Sequence, residues 1–202
     1  MSARYADALA STRSPSAAEK VEGPVAVTIR GDRVEVTDFH EGSWRVIQAV
    51  EERAMVVSPL ENPDGQGERL PLVVTRDGHG AVATMRAKLW PGVDVTLRRI
   101  DVDAETYARR VLLAGTYRDG TGLTYRFTED GKLTIGSGAA SPYRASLDTS
   151  EANCDYFVLG KDERVGFEWK NGKLLLYKTF EDPNGYPISC RKAPFAVLMT
   201  PR

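Results

Sequence analysis

The sequence predicts an all-β fold with a few short helices, and three observations support this prediction. Short runs of β-branched and aromatic residues recur along most of the chain, separated by Gly, Pro, Asn or Asp. A helical period appears at residues 103–113, where apolar side chains follow one stripe. The same order of strand and turn signals occurs twice. Together these observations predict an antiparallel barrel or sandwich built from two tandem related β-units.

The predicted domain boundaries follow the two copies. Residues 1–22 are expected to form an N-terminal helix or tether, 23–102 the first β-unit, 103–115 a connecting helix and 116–202 the second β-unit. In the connecting helix, Asp103 suits the N-cap and Gly115 suits the stop. The two units could instead close a single domain.

The repeat can be followed along the sequence. Residues 34–36 align with 133–135, and at the same offset 44–45 align with 143–144. The alternative explanation is that two antiparallel sheets share hairpin spacing by coincidence. A true duplication would give both units the same strand order and the same pattern of buried faces.

The charge pattern argues against two classes of partner. Lys and Arg number 27 against 28 Asp and Glu, the formal net charge is -1, and the two signs are interspersed. Nucleic acids and anionic membranes require a concentrated basic face. We therefore expect no nucleic-acid partner. Because no apolar run is long enough to cross a bilayer, we also expect no membrane span.

The N-terminal stretch leaves the compartment open. Residues 2–20 are small, polar and rich in alanine, and they contain no apolar signal-peptide core. Such a chain could be cytosolic, or it could be the mature part of an exported protein. Residues 11–18 would suit a tether near a removed signal peptide or lipid anchor.

The two cysteines are Cys154 and Cys190, both beside predicted strands. They lack the C-x-x-C spacing and the companion histidines of redox or metal sites. The remaining interpretations are a structural disulfide and two unrelated buried thiols. A disulfide would indicate an oxidising compartment.

No catalytic or cofactor motif is present. The chain lacks a G-x-S-x-G elbow, phosphate-binding glycine loops and an H-E-x-x-H sequence. The two histidines have no set of further donors at metal-ligand spacing. We expect no cofactor, no metal and no enzymatic activity, with an enzyme built from scattered carboxylates as an alternative.

The aromatic residues are the best candidates for a binding site. Alternation predicts that Phe167 and Trp169 share one strand face and that Glu168 lies on the other. The following strand is apolar on both faces at residues 174–177, so it is either packed on both sides or lines a cavity. The alternative to a ligand pocket is plain core packing.

Two short motifs resemble a known family. Residues 113–117, Leu-Ala-Gly-Thr-Tyr, resemble the G-x-W/Y opening that follows a short helix in lipocalins, and residues 167–177 resemble the later strands of bacterial lipocalin-like lipoproteins. Residues 114–200 are thus similar to a lipocalin-like (calycin-type) β-barrel. Tyr117 stands where lipocalins usually have Trp, and the first half lacks this opening. The resemblance implies an envelope β-barrel that binds small apolar molecules or proteins. It also implies no enzymatic activity, because most members of the family are not enzymes.

These observations predict a non-catalytic binding protein of the bacterial envelope, in the periplasm or at the cell surface, that holds a small apolar ligand. The alternative is a protein-interaction module, such as an inhibitor, an immunity-type protein or an envelope-assembly factor, that uses a sheet edge and loops. The expected ligand-binding side chains are Trp44, Tyr143, Tyr156, Phe167, Trp169 and Tyr177.

Overall fold

The structure is a computed structural model of the 202-residue chain. It describes residues 1–30, 33–37, 42–50, 54–59, 70–76, 78–90, 93–150, 152–181 and 188–201. For residues 33, 42–50, 54–59, 70–71, 88–90, 93 and 181 it describes the backbone alone.

Strands dominate the chain, which confirms the predicted all-β class with short helices. The three helices are α1 (Ala3–Thr12), α2 (Pro15–Glu19) and α3 (Ala104–Leu112). The first seven strands are β1 (Ala26–Arg30), β2 (Arg33–Thr37), β3 (Gly42–Val50), β4 (Ala54–Pro59), β5 (Leu70–Arg76), β6 (Val82–Trp90) and β7 (Val93–Arg98). The later strands are β8 (Gly115–Arg118), β9 (Thr124–Phe127), β10 (Lys132–Ile135), β11 (Ser141–Ala145), β12 (Tyr156–Leu159), β13 (Glu163–Lys170), β14 (Lys173–Glu181), β15 (Ile188–Cys190) and β16 (Ala196–Leu198).

The chain divides into two compact units. Unit 1 comprises Met1–Asp7 and Val21–Asp103, and unit 2 comprises Ala8–Lys20 and Ala104–Arg202. Each unit is therefore made of two separate stretches of sequence. The division passes through α1, so the beginning of that helix belongs to unit 1 and its end to unit 2.

Unit 1 is a meander of seven antiparallel strands, each paired with its neighbour in sequence from β1 to β7. Alternate residues of β2, β5, β6 and β7 face a core that contains aliphatic side chains and a methionine. The buried members of that core are Val25, Val34, Val36, Leu72, Val74, Met85, Ala87, Val95 and Leu97.

The N-terminal residues join the two ends of this meander. The Ser2 amide donates to the Val25 carbonyl at 2.7 Å, next to β1. On the other side, Ser2 pairs with Leu97 of β7, and the Arg98 amide donates to the Met1 carbonyl at 3.0 Å. Ser2 thus gives a backbone partner to the residue before β1 and, together with Met1, to the end of β7, which satisfies hydrogen-bonding groups at one end of each edge.

Unit 2 forms a nearly closed antiparallel barrel of eight strands. Strands β8 to β14 pair in sequence order, and β16 then pairs with β14. The ring closes where Arg118, at the end of β8, pairs with Met199 just after β16. Their backbone amides donate to each other's carbonyls at 2.8 Å. Strand β15 lies off the ring and pairs with the far end of β14.

The helices lie where the sequence pattern places them. α3 occupies the predicted 103–113 segment, and α1 and α2 occupy much of residues 1–22. Ser14 begins α2 as its N-cap, because its hydroxyl accepts from the Ala17 amide at 3.1 Å. Within the part of the chain that the structure describes, no helix has the length and apolarity needed to cross a membrane.

In the predicted repeat, residues that align with each other fall on strands in both units. The aligned residues 34–36 and 133–135 fall on β2 and β10, and 44–45 and 143–144 fall on β3 and β11. The two units also share a meander of antiparallel strands. An origin by duplication stays a prediction.

We predict that closure of the ring depends on the Met199 amide. Proline at this position removes the donor to the Arg118 carbonyl and leaves that carbonyl without its strand partner. Met199→Pro should lower the free energy of unfolding by about 1–3 kcal/mol, the typical cost of a lost hydrogen bond and an unpaired group. Urea unfolding followed by tryptophan fluorescence measures the change.

Thr200→Pro is the matched control. Thr200 is exposed, and the described residues give its amide no backbone hydrogen bond. Equal destabilisation by the two prolines would contradict a specific role for the closing pair.

Candidate functional site

Aromatic rings occupy the interior of the barrel in unit 2. The rings of Phe127, Tyr143 and Phe157 contact one another edge to face, with centroids 5.4 to 5.9 Å apart. Phe167 extends this cluster, with its centroid 6.4 Å from that of Phe157. Edge-to-face pairs contribute about 0.5–1.5 kcal/mol each beyond the burial of their area. The cluster therefore stabilises the barrel from inside.

The buried hydroxyl of Tyr143 has a hydrogen-bond partner. It donates to the Thr128 carbonyl at 2.8 Å, while the ring is only 2% exposed. Burial raises the pKa of Tyr143 well above its usual range. The phenol is thus a neutral donor fixed in the core.

Two aromatic donors attach the barrel to the end of α3. The Tyr117 hydroxyl donates to the Leu113 carbonyl at 2.9 Å, and the Trp169 indole N–H donates to the Leu112 carbonyl at 2.7 Å. The last carbonyls of a helix have no partners within the helix, so these bonds satisfy groups that would otherwise be buried unpaired. The Tyr117 and Trp169 rings also meet edge to face at 5.9 Å.

Gly115 makes this arrangement possible. Its φ of 151° lies in a region that favours glycine, and a Cβ built there would lie 2.6 Å from the Tyr117 hydroxyl oxygen. The spacing of glycine and tyrosine in residues 115–117 therefore has a steric cause. Residue 115 must lack a side chain so that the Tyr117 ring can pack against it and reach the end of the helix.

A second contact covers the ring of Trp169. The Arg13 guanidinium lies over the indole ring, 4.2 Å from its centroid. Such cation–π contacts contribute about 0.5–1 kcal/mol at exposed positions. This contact connects the N-terminal part of unit 2, which contains Arg13, with strand β13.

The structure places the six predicted ligand-binding residues in different environments. Tyr143 and Phe167 belong to the interior cluster, and the half-buried Trp169 lies at the end of α3. Tyr156 and Tyr177 lie on the outer face of the barrel wall. Both are paired with Gly166 of β13, which alternates with residues that face the interior. The side chain of Trp44 lies outside the described residues. An apolar-ligand site on these six residues stays a prediction.

The Tyr177 hydroxyl has its own polar partner on the outer face. It donates to the Glu168 carboxylate at 2.8 Å. Burial and the bond to Glu168 raise the pKa of Tyr177 to about 12. The phenol therefore stays protonated, and keeps this carboxylate occupied, across the physiological range.

The disulfide between Cys154 and Cys190 is confirmed. Its Cα atoms are 6.0 Å apart, and it connects residues separated by 36 positions. It ties β15 to the segment before β12, where Ala152 also pairs with Ile188. The Cys190 sulfur occupies the space above Gly166 on β13, so this buried glycine is required by close packing rather than by its backbone angle.

Exposed apolar side chains concentrate around β16. The structure describes nine large hydrophobic residues as exposed, and four of them lie on β14, on β16 or beside its ends: Phe180, Phe195, Val197 and Met199. Alternation places Phe195, Val197 and Met199 on the outer face of this chain segment, while Ala196 and Leu198 point into the barrel. We call Phe195, Val197 and Met199 the β16 patch. Phe180 is not part of it, because alternation places Phe180 on the face of β14 that Leu176 occupies, whereas Val197 pairs with Leu175 on the other face. Single exposed hydrophobics are ordinary, whereas the side chains of the β16 patch follow one another along one face of a strand.

An open groove of about 660 Å³ adjoins the β16 patch. It was not predicted from the sequence, because its residues come from segments that only the pairing of β14 with β15 and β16 brings together. The available signal was the aromatic pair Phe180 and Phe195 next to basic residues. The groove is lined by Lys178, Phe180, Arg191, Lys192, Ala193, Pro194 and Phe195.

Comparison with known proteins adds no relative. No family model, no curated protein and no solved structure matches the chain. Within the part of the chain that the structure describes, no three His, Cys, Asp or Glu side chains come together as metal ligands.

We predict that a side chain at Gly115 destabilises unit 2. In Gly115→Ala the new methyl group collides with the Tyr117 hydroxyl, which must then leave the end of α3. The free energy of unfolding should fall by about 1–3 kcal/mol. Gly120→Ala is the control, because a Cβ there meets no atom within 4 Å and the residue is exposed. A similar effect of both changes on urea unfolding would contradict the steric explanation.

We also predict that the cost of a side chain at Gly166 depends on the disulfide. Gly166→Ala should destabilise the oxidised protein by about 1–3 kcal/mol, because its Cβ collides with the Cys190 sulfur. In a Cys154→Ala/Cys190→Ala background the sulfur is gone, and the cost should fall below about 1 kcal/mol. Loss of the disulfide alone should cost about 3–4 kcal/mol for a loop of this length.

A double-mutant cycle measured by urea unfolding tests this dependence. The four proteins are the parent, each variant alone and their combination. Additive costs would show that Gly166 and the disulfide are independent, which contradicts the packing shown by the structure.

Proposed function

We propose that unit 2 is a non-catalytic interaction module that binds another protein through the β16 patch. The observation that carries the proposal is the run of exposed Phe195, Val197 and Met199 along the outer face of the β16 segment. Binding another protein would remove these side chains from water, at about 25 cal/mol for each Å² of apolar area.

The barrel interior favours this proposal over a ligand cavity. An eight-stranded barrel has an interior that side chains can just fill, or that can hold one small ligand. In unit 2 the rings of Phe127, Tyr143 and Phe157 contact one another inside the barrel. A ligand at this position would have to displace rings from a packed cluster. The outer surface offers apolar area without that cost.

The patch is carried on a fixed strand. The Phe195 amide donates to the Leu176 carbonyl at 2.8 Å, Val197 pairs with Leu175, and Met199 closes the ring with Arg118. Because every second residue of this segment is held by the barrel, the exposed side chains are arranged before a partner arrives. Such preorganisation lowers the entropic cost of association.

The proposed location is the periplasm or the cell surface of a bacterium. The Cys154–Cys190 disulfide supports an oxidising, extracytoplasmic environment. The eight-stranded up-and-down ring preceded by α3 is compatible with a lipocalin-like relationship. We carry over from that relationship only the general capacity to bind proteins, which agrees with the β16 patch.

Site-specific photo-crosslinking tests the proposed function. A photoreactive phenylalanine analogue replaces Val197, and in a second variant it replaces the exposed Lys161 between β12 and β13. In cells that make the protein, we expect one crosslinked product of defined mass from position 197 and none from position 161. Mass spectrometry identifies the attached protein.

A surface variant provides the matched control. Phe195→Ser/Met199→Ser should abolish the crosslink from position 197 while changing the free energy of unfolding by less than about 1 kcal/mol, since both side chains are largely exposed. Absence of a product at position 197, or a product with twice the mass of the chain, would contradict binding to a different protein.

A further inference from the structure

The groove beside the β16 patch combines aromatic and cationic side chains. Phe180 and Phe195 are 50% and 51% exposed, which is high for phenylalanine. Among the residues that the structure describes, the charged ones that line the groove are the cations Lys178, Arg191 and Lys192. Aromatic rings and cations on one concave surface provide both apolar contacts and charge recognition.

Backbone pairing brings these residues together. Lys178 and Phe180 occupy alternate positions of β14 and share a face. The Arg191 amide donates to the Lys178 carbonyl at 2.9 Å, which fixes the end of β15 beside them. The neighbouring residue Cys190 is anchored by its disulfide. The cations are thus held near one another although like charges repel.

No carboxylate of the described residues forms an ion pair with Lys178, Arg191 or Lys192. An adjoining cleft of about 400 Å³ shares Arg191 and Lys192 and contains Asp155 and Glu168. Those carboxylates already have other partners. Asp155 accepts from the Ser16 amide at 2.9 Å, and Glu168 accepts from the Tyr177 hydroxyl.

We infer that the groove binds an extended, acidic segment of another protein. Carboxylates of this segment contact Lys178, Arg191 and Lys192, and its apolar side chains rest on Phe180 and Phe195. The inference rests on the proposed function, because the segment belongs to the same partner that covers the β16 patch. Complementary charge selects the partner and accelerates association, while the apolar contacts supply most of the affinity.

Two other occupants fit the groove less well. In a symmetric contact with a second copy, the three cations would face the same three cations, which is unfavourable. Membrane binding requires apolar side chains that protrude into the headgroup region. Here Phe180 and Phe195 line the walls of a concave groove instead.

The experiment uses the full oxidised chain and three fluorescent peptides. The first alternates Glu with Phe and Leu; the second has Lys for every Glu; the third has Ser for every Phe and Leu. Fluorescence anisotropy should show binding of the first peptide, with the second and third at least about tenfold weaker. Higher ionic strength should weaken the first peptide's binding because its charge contacts are exposed.

Charge-reversal variants locate the binding. Lys178→Glu/Arg191→Glu/Lys192→Glu should weaken the first peptide about tenfold or more, the combined effect of several exposed charge pairs. The control Lys161→Glu/Lys170→Glu/Lys173→Glu changes the net charge equally at exposed positions outside the groove and should preserve binding.

Several outcomes would overturn the inference. These are equal binding of the acidic and basic peptides, equal effects of the two charge-reversal variants, and no binding of the acidic peptide. Sedimentation with phosphatidylserine vesicles that is lost in Phe180→Ser/Phe195→Ser would assign the groove to a membrane instead. A crosslink from position 197 without acidic-peptide binding would refute only this inference. Peptide binding without that crosslink would refute only the proposed function.

Discussion

The small interior of the eight-stranded ring is the constraint on which the rest of unit 2 depends. A ring of this size has room for the side chains that stabilise it, and the cluster around Phe127, Tyr143 and Phe157 takes up that room. Large side chains on the outer face of the strands therefore lie on the surface of the barrel. The exposed β16 patch lies on the outer face of the ring, opposite the inward Ala196 and Leu198.

Closure of the ring and attachment of α3 occur on the same strand. β8 has four residues, yet it contains Gly115, Tyr117 and Arg118, which provide close approach, helix capping and ring closure. Tyr117, whose hydroxyl caps the helix, and Arg118, which closes the ring, are neighbours whose side chains point to opposite sides of the strand. A short strand can have these roles because each depends on the backbone or on one side chain. The disulfide acts elsewhere, at β15, outside the ring.

Much of the fold could be predicted from sequence because its signals are local. Alternation placed Phe167 and Trp169 opposite Glu168, and the structure agrees, with Glu168 exposed and Phe167 buried. The helix at 103–113 and the disulfide were also predicted correctly. β8 was not recognised as a strand, since a run of four residues that begins with glycine has little strand character.

The site was harder to predict because it depends on relations between strands. Alternation assigns residues to two faces of one strand, but it does not say which face of the next strand points the same way. Tyr156 was therefore grouped with Tyr143, although its neighbour Phe157 is the residue that enters the core. The groove depends on β15 and β16 pairing with two different stretches of β14, and no local pattern encodes these pairings.

The split of the N-terminal residues between the two units also determines when each can finish folding. Ser2 contacts Leu97 in unit 1, whereas Ser16 contacts Asp155 in unit 2. Both pairings close long loops, so their entropic cost must be met before the contacts form. As the chain leaves the ribosome, the segment containing Ser16 has to wait for residues made much later. Severing the chain between the units would separate that segment from its binding site, so the two units are unsuited to separate expression as halves.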